Sequence, residues 1–137
     1  MTVLTSLSHP NGFVCSTPRV ATNTAIDFFL FVTQLVKNQD LVAGDVLVLD
    51  NAAIHYSDEI RAPLDALLQL TGVRLLFMPT YSPELSPCEL VFAQIKRHVR
   101  TNRSTRHLLL DVAAAAASVS WLNVFAYYRK CIHNFDQ

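Results

Sequence analysis

Two carboxylates in the sequence occupy positions that suit metal-dependent chemistry. Asp50 follows the apolar run Val46–Leu49, and Glu89 comes two residues after Pro87. The apolar run predicts a strand covered on both faces, and an acid at the carboxyl end of such a strand lies where α/β proteins bind ligands. Pro87 suits the first turn of a helix, so Glu89 is expected in that turn. Two carboxylates converging from these positions are expected to form a divalent-metal site of hard oxygen ligands.

Each acid also has a plain structural interpretation. An acid such as Asp50 at a strand end is often only a cap or turn residue. Glu89 taken alone is typical of a first-turn acid that the helix dipole stabilises. A basic cluster follows Glu89, in a stretch from position 96 to 106 that contains no acid. Its members are Lys96, Arg97, Arg100, Arg103 and Arg106. Because Glu89, Lys96 and Arg100 share one face of a helix, phosphate contact and a merely solvated face are both reasonable interpretations.

Two composite motifs surround the acids. The first is VLDNAAIH at residues 48–55, and the second is LLFMPTYSPELSPCELVFAQIKRHVR at residues 75–100. Together they closely resemble the mariner-like branch of the DDE superfamily transposases, which includes bacterial insertion-sequence relatives. The resemblance implies that Asp50 is the second catalytic acid and Glu89 the third. Ser86 departs from the family's pattern, because an Asn usually stands before the second Pro of that loop.

The resemblance also implies a cofactor and a set of binding residues. In the resembled enzymes three carboxylates hold two divalent cations, and the cofactor expected here is Mg²⁺ (or Mn²⁺), with Asp50 and Glu89 as ligands. The expected DNA-binding residues are Lys96, Arg97, Arg100 and Arg103. Asn51 and His55 are candidate supporting residues. His55 either orients a carboxylate, approaches DNA or is an ordinary structural histidine.

The fold implied by the resemblance is α/β and RNase H-like, with residues 1–137 as a single partial DDE transposase catalytic domain. In the family, a central first strand carrying the first catalytic Asp precedes the opening hairpin. We expect that strand to be missing here, so that the fold is incomplete and the chain N-terminally truncated. Asp45 lies at the far end of Asp50's strand and Asp27 is expected to face solvent on a helix, so neither obviously replaces the first acid.

The function implied is metal-dependent DNA strand cleavage and transfer, by a fragment of a transposase (DDE endonuclease) catalytic domain that is inactive alone. The alternative is a non-catalytic DNA-binding or oligomerisation module derived from a transposase. The expected partners are DNA, as transposon ends and target, and a second copy in a homodimer. No membrane partner is expected.

The elements that must position these residues follow from local patterns. We predict a hairpin pairing residues 2–8 with 13–16, and a helix over Thr22–Lys37 capped by Thr22 or Asn23. The apolar stripe of that helix is expected to comprise Ile26, Phe29, Leu30, Val32 and Val36. Further predictions are a helix over Ser57–Leu70 closed by Gly72 and a strand over Val73–Met78. A helix is expected from Cys88 to about Arg100, with its buried face formed by Cys88, Phe92, Ile95 and Val99. A last helical region is expected from about Thr105 to Ile132.

The composition is that of a folded domain. Hydrophobic residues make up 51% of the 137 residues and charged residues 16%, which is enough apolar material for a core, and the formal net charge is zero. Cys15, Cys88 and Cys131 are widely spaced, which predicts three reduced intracellular thiols. No secretory signal pattern opens the chain, and the uncharged run Val112–Tyr128 is too short to predict a membrane span. The expected location is the nucleus in a eukaryote and otherwise the cytoplasm.

Overall fold

The computed structural model describes residues 3–7, 12–15, 22–102 and 107–135. The chain divides into two compact units, one formed by Thr22–Ser82 and the other by Met1–Ala21 together with Pro83–Gln137. The described strands form two two-stranded sheets, one antiparallel and one parallel. This mixture of helices with a small parallel sheet is compatible with an RNase H-like α/β fold.

The elements follow one another in chain order as β1 (Val3–Thr5), β2 (Phe13–Cys15), α1 (Ala25–Lys37), β3 (Val46–Leu49), α2 (Asp58–Thr71), β4 (Arg74–Phe77), α3 (Pro87–Thr101), α4 (Leu108–Ala117) and α5 (Trp121–Phe135). Short 3₁₀ turns occupy Ala53–His55 and Pro83–Leu85.

The unit Thr22–Ser82 is built on a β3–α2–β4 crossover. The two strands run parallel, with Val46 opposite Arg74 and Leu49 opposite Phe77. The ladder continues past the strands, where the Met78 amide donates to the Leu49 carbonyl at 2.8 Å. Helices α1 and α2 cover the sheet through a buried set of Ala25, Phe28, Val32, Leu35, Leu47, Leu49, Ile60, Leu64 and Leu68. The carboxyl ends of β3 and β4 therefore meet at one edge, directly before Asp50 and Met78.

The prediction that β3 is covered on both faces is wrong for the described structure. Leu47 and Leu49 are buried, whereas Val46 and Val48 are 40% and 47% exposed. Leu76, which lies opposite Val48 on β4, is exposed as well. Within the described part of the unit Thr22–Ser82, burial therefore alternates along β3, as it does in a sheet that is covered on one face.

The N-cap of helix α1 lies two residues after Thr22 and one after Asn23, which were the predicted caps. Thr24 is the N-cap, and its side chain accepts from the Asp27 amide while the Asp27 carboxylate accepts from the Thr24 amide. The predicted solvent-facing Asp27 is thus part of a capping box. The predicted apolar stripe is right for Val32, which is buried, and wrong for Ile26 and Leu30, which are exposed. The buried face consists of Ala25, Phe28, Val32 and Leu35.

In the other unit, the β1–β2 hairpin is confirmed, with Val3 opposite Cys15; its predicted turn residues 9–11 lie outside the described residues. Helices α3, α4 and α5 enclose a core of Val91, Ile95, Ala115, Ala116, Val119 and Val124. The most deeply buried position of α3 is Val91, which the predicted face omitted. Instead of one last helix there are two, because α4 is capped at Ser118, and Ser120 accepts from the Asn123 amide at the start of α5.

No single helix in the described ranges is long and apolar enough to cross a membrane. Helices α4 and α5 together have the length and apolar composition of a membrane span, but the pair is bent by 78°.

Candidate active site

Asp50 lies immediately after β3 at the carboxyl edge of the parallel strand pair. Its Oδ1 atom accepts a hydrogen bond from the Ala52 amide at 3.0 Å and lies 2.6 Å from Nδ1 of His55. The Asp50 side chain is half exposed, and its Oδ2 atom has no hydrogen bond or ion pair with a described residue. One carboxylate oxygen is therefore fixed by the protein while the other keeps its lone pairs available for a ligand.

His55 is held against Asp50 from two sides. Its Nδ1 atom lies 3.4 Å from the Asp50 backbone carbonyl in addition to the contact with Oδ1. Both neighbouring atoms are acceptors only, so Nδ1 carries a proton. The Phe28 ring packs on the imidazole at a centroid distance of 4.6 Å, and the His55 side chain is only 18% exposed. The tight 3₁₀ turn Ala53–His55 brings the histidine back over the strand end.

Asn51 ties together the ends of the two strands. Its Nδ2 atom donates to the backbone carbonyl of Met78 at 2.5 Å, across 27 residues of sequence. Because Met78 also donates to Leu49, the segment after β4 is joined to the segment after β3 at two points. Asn51 therefore stabilises the edge that carries Asp50 and the start of the Pro79 loop.

Replacing Asn51 by Ala is expected to lower the free energy of unfolding by about 1 kcal/mol, because the Met78 carbonyl loses its donor. Asn51→Asp should cost at least as much, since a carboxylate would then face a carbonyl oxygen. Chemical denaturation followed by circular dichroism measures both changes. Gln34→Ala is the matched control, as it removes an exposed amide hydrogen bond to Asn38 on α1. Equal stability of the Asn51→Ala and Gln34→Ala variants would contradict the assigned role.

Glu89 lies in the first turn of α3, whose first residue is Pro87 as the sequence predicts. Its side chain is exposed, and its carboxylate has no hydrogen bond or ion pair with a residue that the structure describes. Ser86 is the N-cap but makes no side-chain capping bond. The positive end of the helix favours a carboxylate at this position. Glu89 therefore presents an exposed carboxylate that no described residue engages.

The comparison between Ser86–Glu89 and Thr24–Asp27 is informative. Both pairs have a hydroxyl residue at the N-cap and an acid three residues later. At α1 the acid closes back on the cap, with Asp27 Oδ2 at 2.9 Å from the Thr24 amide. At α3 no such bond holds the Ser86 side chain. The same local pattern thus serves helix capping at α1 and leaves a free carboxylate at α3.

The first turn of α3 is anchored through Cys88, which precedes Glu89. The Cys88 thiol donates to the Val3 carbonyl at 3.7 Å and lies 3.6 Å from the Thr5 hydroxyl. Tyr128 on α5 donates to the Thr5 carbonyl at 2.9 Å, and burial raises the pKa of its phenol above the ordinary value, so it remains a neutral donor. The sequence contains no local signal for this cluster, because each of these contacts joins residues more than 80 positions apart.

The basic residues predicted to bind DNA are only partly within the described chain. Lys96, Arg97 and Arg100 are exposed on α3, whereas Arg103 and Arg106 lie outside the described residues. Lys96 and Arg100 follow Glu89 by about 10 and 16 Å along the helix axis on nearly the same face. The cationic side chains of Lys96 and Arg100 therefore lie on the same side of α3 as Glu89.

The donor set fits a divalent cation by its chemistry. Both Asp50 and Glu89 present carboxylate oxygens with unused lone pairs, which are the ligands that Mg²⁺ and Mn²⁺ prefer. The structure brings Asp50, Asn51 and His55 together at one strand edge, and Glu89, Lys96 and Arg100 along one helix face. No group of three or more His, Cys, Asp or Glu side chains suited to a metal occurs among the residues described. Burial raises the pKa of Cys131, which keeps that thiol neutral.

An acid at the carboxyl edge of a parallel strand pair and a second acid at a helix start are features of α/β domains that act on phosphoryl groups with divalent metals. The sequence model of the family described as "DDE superfamily endonuclease" matches residues 1–108. The chain belongs to this family. DDE transposase domains act on DNA, and DDE endonucleases generally use divalent metal ions. Neither the curated proteins nor the solved structures include a match to the chain.

Proposed function

We propose that this chain is a transposase-type catalytic domain of the mariner-like branch, in which Asp50 and Glu89 supply metal-ligating carboxylates for DNA strand cleavage and transfer. The observation that carries the proposal is Asp50 at the carboxyl end of the β3–β4 pair, with one oxygen fixed and one available, in a chain of the DDE endonuclease family. The "VLDNAAIH" and "YSPELSPCE" segments support the mariner-like assignment.

The roles of the chain's own residues follow from their contacts. The Ala52 amide and His55 Nδ1–H hold Oδ1 of Asp50 and thereby set the direction of the carboxylate. Glu89 is kept at the start of α3, where the helix dipole stabilises its charge. Bound Mg²⁺ or Mn²⁺ would supply Lewis-acid activation of the attacking oxygen and stabilisation of the leaving oxygen at phosphorus. Lys96 and Arg100 would neutralise phosphates of DNA lying along α3.

The direct test is a Mg²⁺- or Mn²⁺-dependent nicking assay in which Asp50 and Glu89 are each neutralised. The motifs identify two of the three acids that such domains use. That the RNase H-like domain is incomplete, and that the chain is inactive alone, both stay predictions. The same nicking assay tests the predicted inactivity. A single domain spanning residues 1–137, a homodimer, and a nuclear location in a eukaryote or a cytoplasmic one otherwise also stay predictions.

DNA contact by α3 has its own expected result. Lys96→Gln combined with Arg100→Gln should weaken DNA binding and reduce the slope of log K against log salt concentration by about 2, one for each lost phosphate contact. Fluorescence anisotropy with a labelled duplex, over a range of salt concentrations, measures both quantities. Arg97 and Arg103 are proposed contacts that the same titration can examine singly.

The matched control is Lys37→Gln combined with Arg74→Gln, which removes the same charge from exposed positions at the end of α1 and at the amino end of β4. That control should leave the salt slope unchanged. If both double variants lower the slope equally, general charge rather than the α3 face explains binding.

A further inference from the structure

Tyr56 comes directly after His55, and its side chain is held by contacts that the proposed metal site does not use. Its hydroxyl donates to the Asp65 carboxylate on α2, at 3.1 Å to Oδ2 and 3.4 Å to Oδ1. Its ring meets the Phe77 ring edge to face, with the two centroids 5.2 Å apart. The guanidinium of Arg61 lies over the Tyr56 ring, 4.4 Å from its centroid. The Tyr56 side chain is therefore fixed to α2 and to the end of β4.

Two of these contacts hold Tyr56 more firmly than the third. The bond to Asp65 has an ionised acceptor, and such hydrogen bonds are stronger than those between neutral groups. The edge-to-face pair with Phe77 adds to the burial of both rings. Arg61 also lies 3.9 Å from Asp58, but both of these side chains are exposed, so this charge pair contributes little. Asp65 and Phe77 are consequently the main anchors of Tyr56.

The turn Ala53–His55 depends on anchors at both of its ends. At its start, the Ala52 amide donates to Oδ1 of Asp50. At its end, Tyr56 leaves the 3₁₀ geometry with φ of −148° and ψ of 44°. A 3₁₀ turn of three residues has poor hydrogen-bond geometry of its own, so side-chain contacts outside the turn must fix its position.

We propose that Tyr56 is a positioning residue, which holds the turn so that the Nδ1–H of His55 stays on Oδ1 of Asp50; its value for metal binding rests on the proposed function. The Phe28 ring packs on the imidazole, but a contact on the ring leaves it free to slide in its own plane. The 2.6 Å contact between Nδ1 and Oδ1 requires that this sliding be prevented. Tyr56 prevents it, because it fixes the backbone immediately after His55.

The test follows the Nδ1 proton of His55 by ¹H–¹⁵N NMR of the full, metal-free chain, with His55→Ala to identify the signal. Tyr56→Phe keeps the ring and removes the hydroxyl, and should speed exchange of this proton with water by about 5-fold, which corresponds to one hydrogen bond. Asp65→Ala should have the same effect, and the double variant should exchange no faster than either single one, because both lose the same bond. Asp65→Asn keeps an acceptor oxygen and should exchange like the parent.

Tyr127→Phe is the matched control, because it removes a tyrosine hydroxyl that donates to Gln94 at 2.7 Å in the other unit. It should leave exchange of the His55 proton unchanged. Equal acceleration by Tyr127→Phe would overturn the inference, as would a parent spectrum in which His55 carries its proton on Nε2. A loss of thermal stability in Tyr56→Phe without faster exchange would also overturn it, since Tyr56 would then be structural only.

Metal binding gives a second readout, which separates this inference from the proposed function. The affinity for Mn²⁺, measured from the electron paramagnetic resonance signal of the free ion, should fall by about 5-fold in Tyr56→Phe, the factor expected for one hydrogen bond. The fall should disappear in the His55→Ala background, because Tyr56 acts through His55; an equal fall there would overturn the inference. If the parent binds no Mn²⁺ but Tyr56→Phe speeds exchange of the His55 proton, the proposed metal site fails and the positioning role of Tyr56 stands.

Discussion

Asp50→Asn and Glu89→Gln are each expected to lower metal-dependent DNA nicking by about 10³-fold or more. Each substitution keeps the size of the side chain and removes the charge that holds a divalent cation, whose stabilisation of the reaction is worth several kcal/mol. Nicking of supercoiled plasmid in Mg²⁺ and in Mn²⁺ measures the effect. Because the chain alone is predicted to be inactive, the assay is run both on the chain and on a version preceded by a strand that carries the family's first Asp.

Two matched variants separate this effect from a general loss of charge. Asp45→Asn neutralises an acid at the opposite end of β3, where Oδ2 caps the Val42 amide. Glu84→Gln neutralises an exposed acid in the 3₁₀ turn before α3. Both should retain activity. Since Asp50 and Glu89 are not buried, their variants should change the free energy of unfolding by no more than about 0.5 kcal/mol.

The outcomes of this assay distinguish the functions considered. Activity of the chain alone that both acid variants abolish would show that the prediction of inactivity is wrong. Activity that appears only after the first Asp is added would support an incomplete enzyme. Salt-dependent DNA binding that Asp50→Ala does not affect, with no nicking in either version, would instead support a non-catalytic DNA-binding module.

His55→Ala is expected to raise the metal concentration needed for half-maximal nicking by about 10- to 100-fold. Substitution of a residue that orients a metal ligand typically lowers metal affinity or activity by that factor. The physical reason is the Nδ1–H of His55, which lies 2.6 Å from Oδ1 of Asp50 and sets the direction of the carboxylate. A metal titration of the nicking rate measures the change, and the maximal rate at saturating metal should fall less than the affinity.

Conservative variants test whether the Nδ1 contact is responsible. Asn places its Nδ2 donor near the position of Nδ1, whereas Gln reaches toward the position of Nε2. His55→Asn should therefore retain much of the metal affinity and His55→Gln should lose it. Phe28→Leu removes the ring packed on the imidazole but keeps the donor, and His133→Asn alters an exposed histidine on α5. If Phe28→Leu weakens metal use as much as His55→Ala, packing rather than the hydrogen bond is the cause.

Much of the local structure near the site could be predicted from single residues. Gly72 closes α2 in the left-handed conformation, with φ of +71°, and Pro87 is the first residue of α3. Both follow from intrinsic backbone preferences that do not depend on distant neighbours. Ser57 is the N-cap of α2 as predicted, yet its side chain makes no capping bond.

Burial was predicted less well, because it depends on what packs against each face. The run Val46–Leu49 has no periodicity that would reveal a half-covered strand, and Val46 and Val48 are exposed. On α1, apolar residues occupy more than one face, so the pattern admitted two stripes, and only the packing of α2 and β3 selects the one through Phe28 and Leu35. The break between α4 and α5 likewise occurs at residues 118–120, in a stretch where no Pro or Gly marks the end of a helix.

The sequence by itself determined which residues are proposed to carry the chemistry. Asp50, Asn51, His55 and Glu89 are identified by motif, because the acids, the loop prolines and their order are properties of the chain alone. Only the tertiary structure decided how those side chains are used. Asn51 bonds to Met78, and Glu89 is left unused while the similar Asp27 closes a capping box. The reason is that hydrogen-bond partners distant in sequence become neighbours only when the strands and helices have packed.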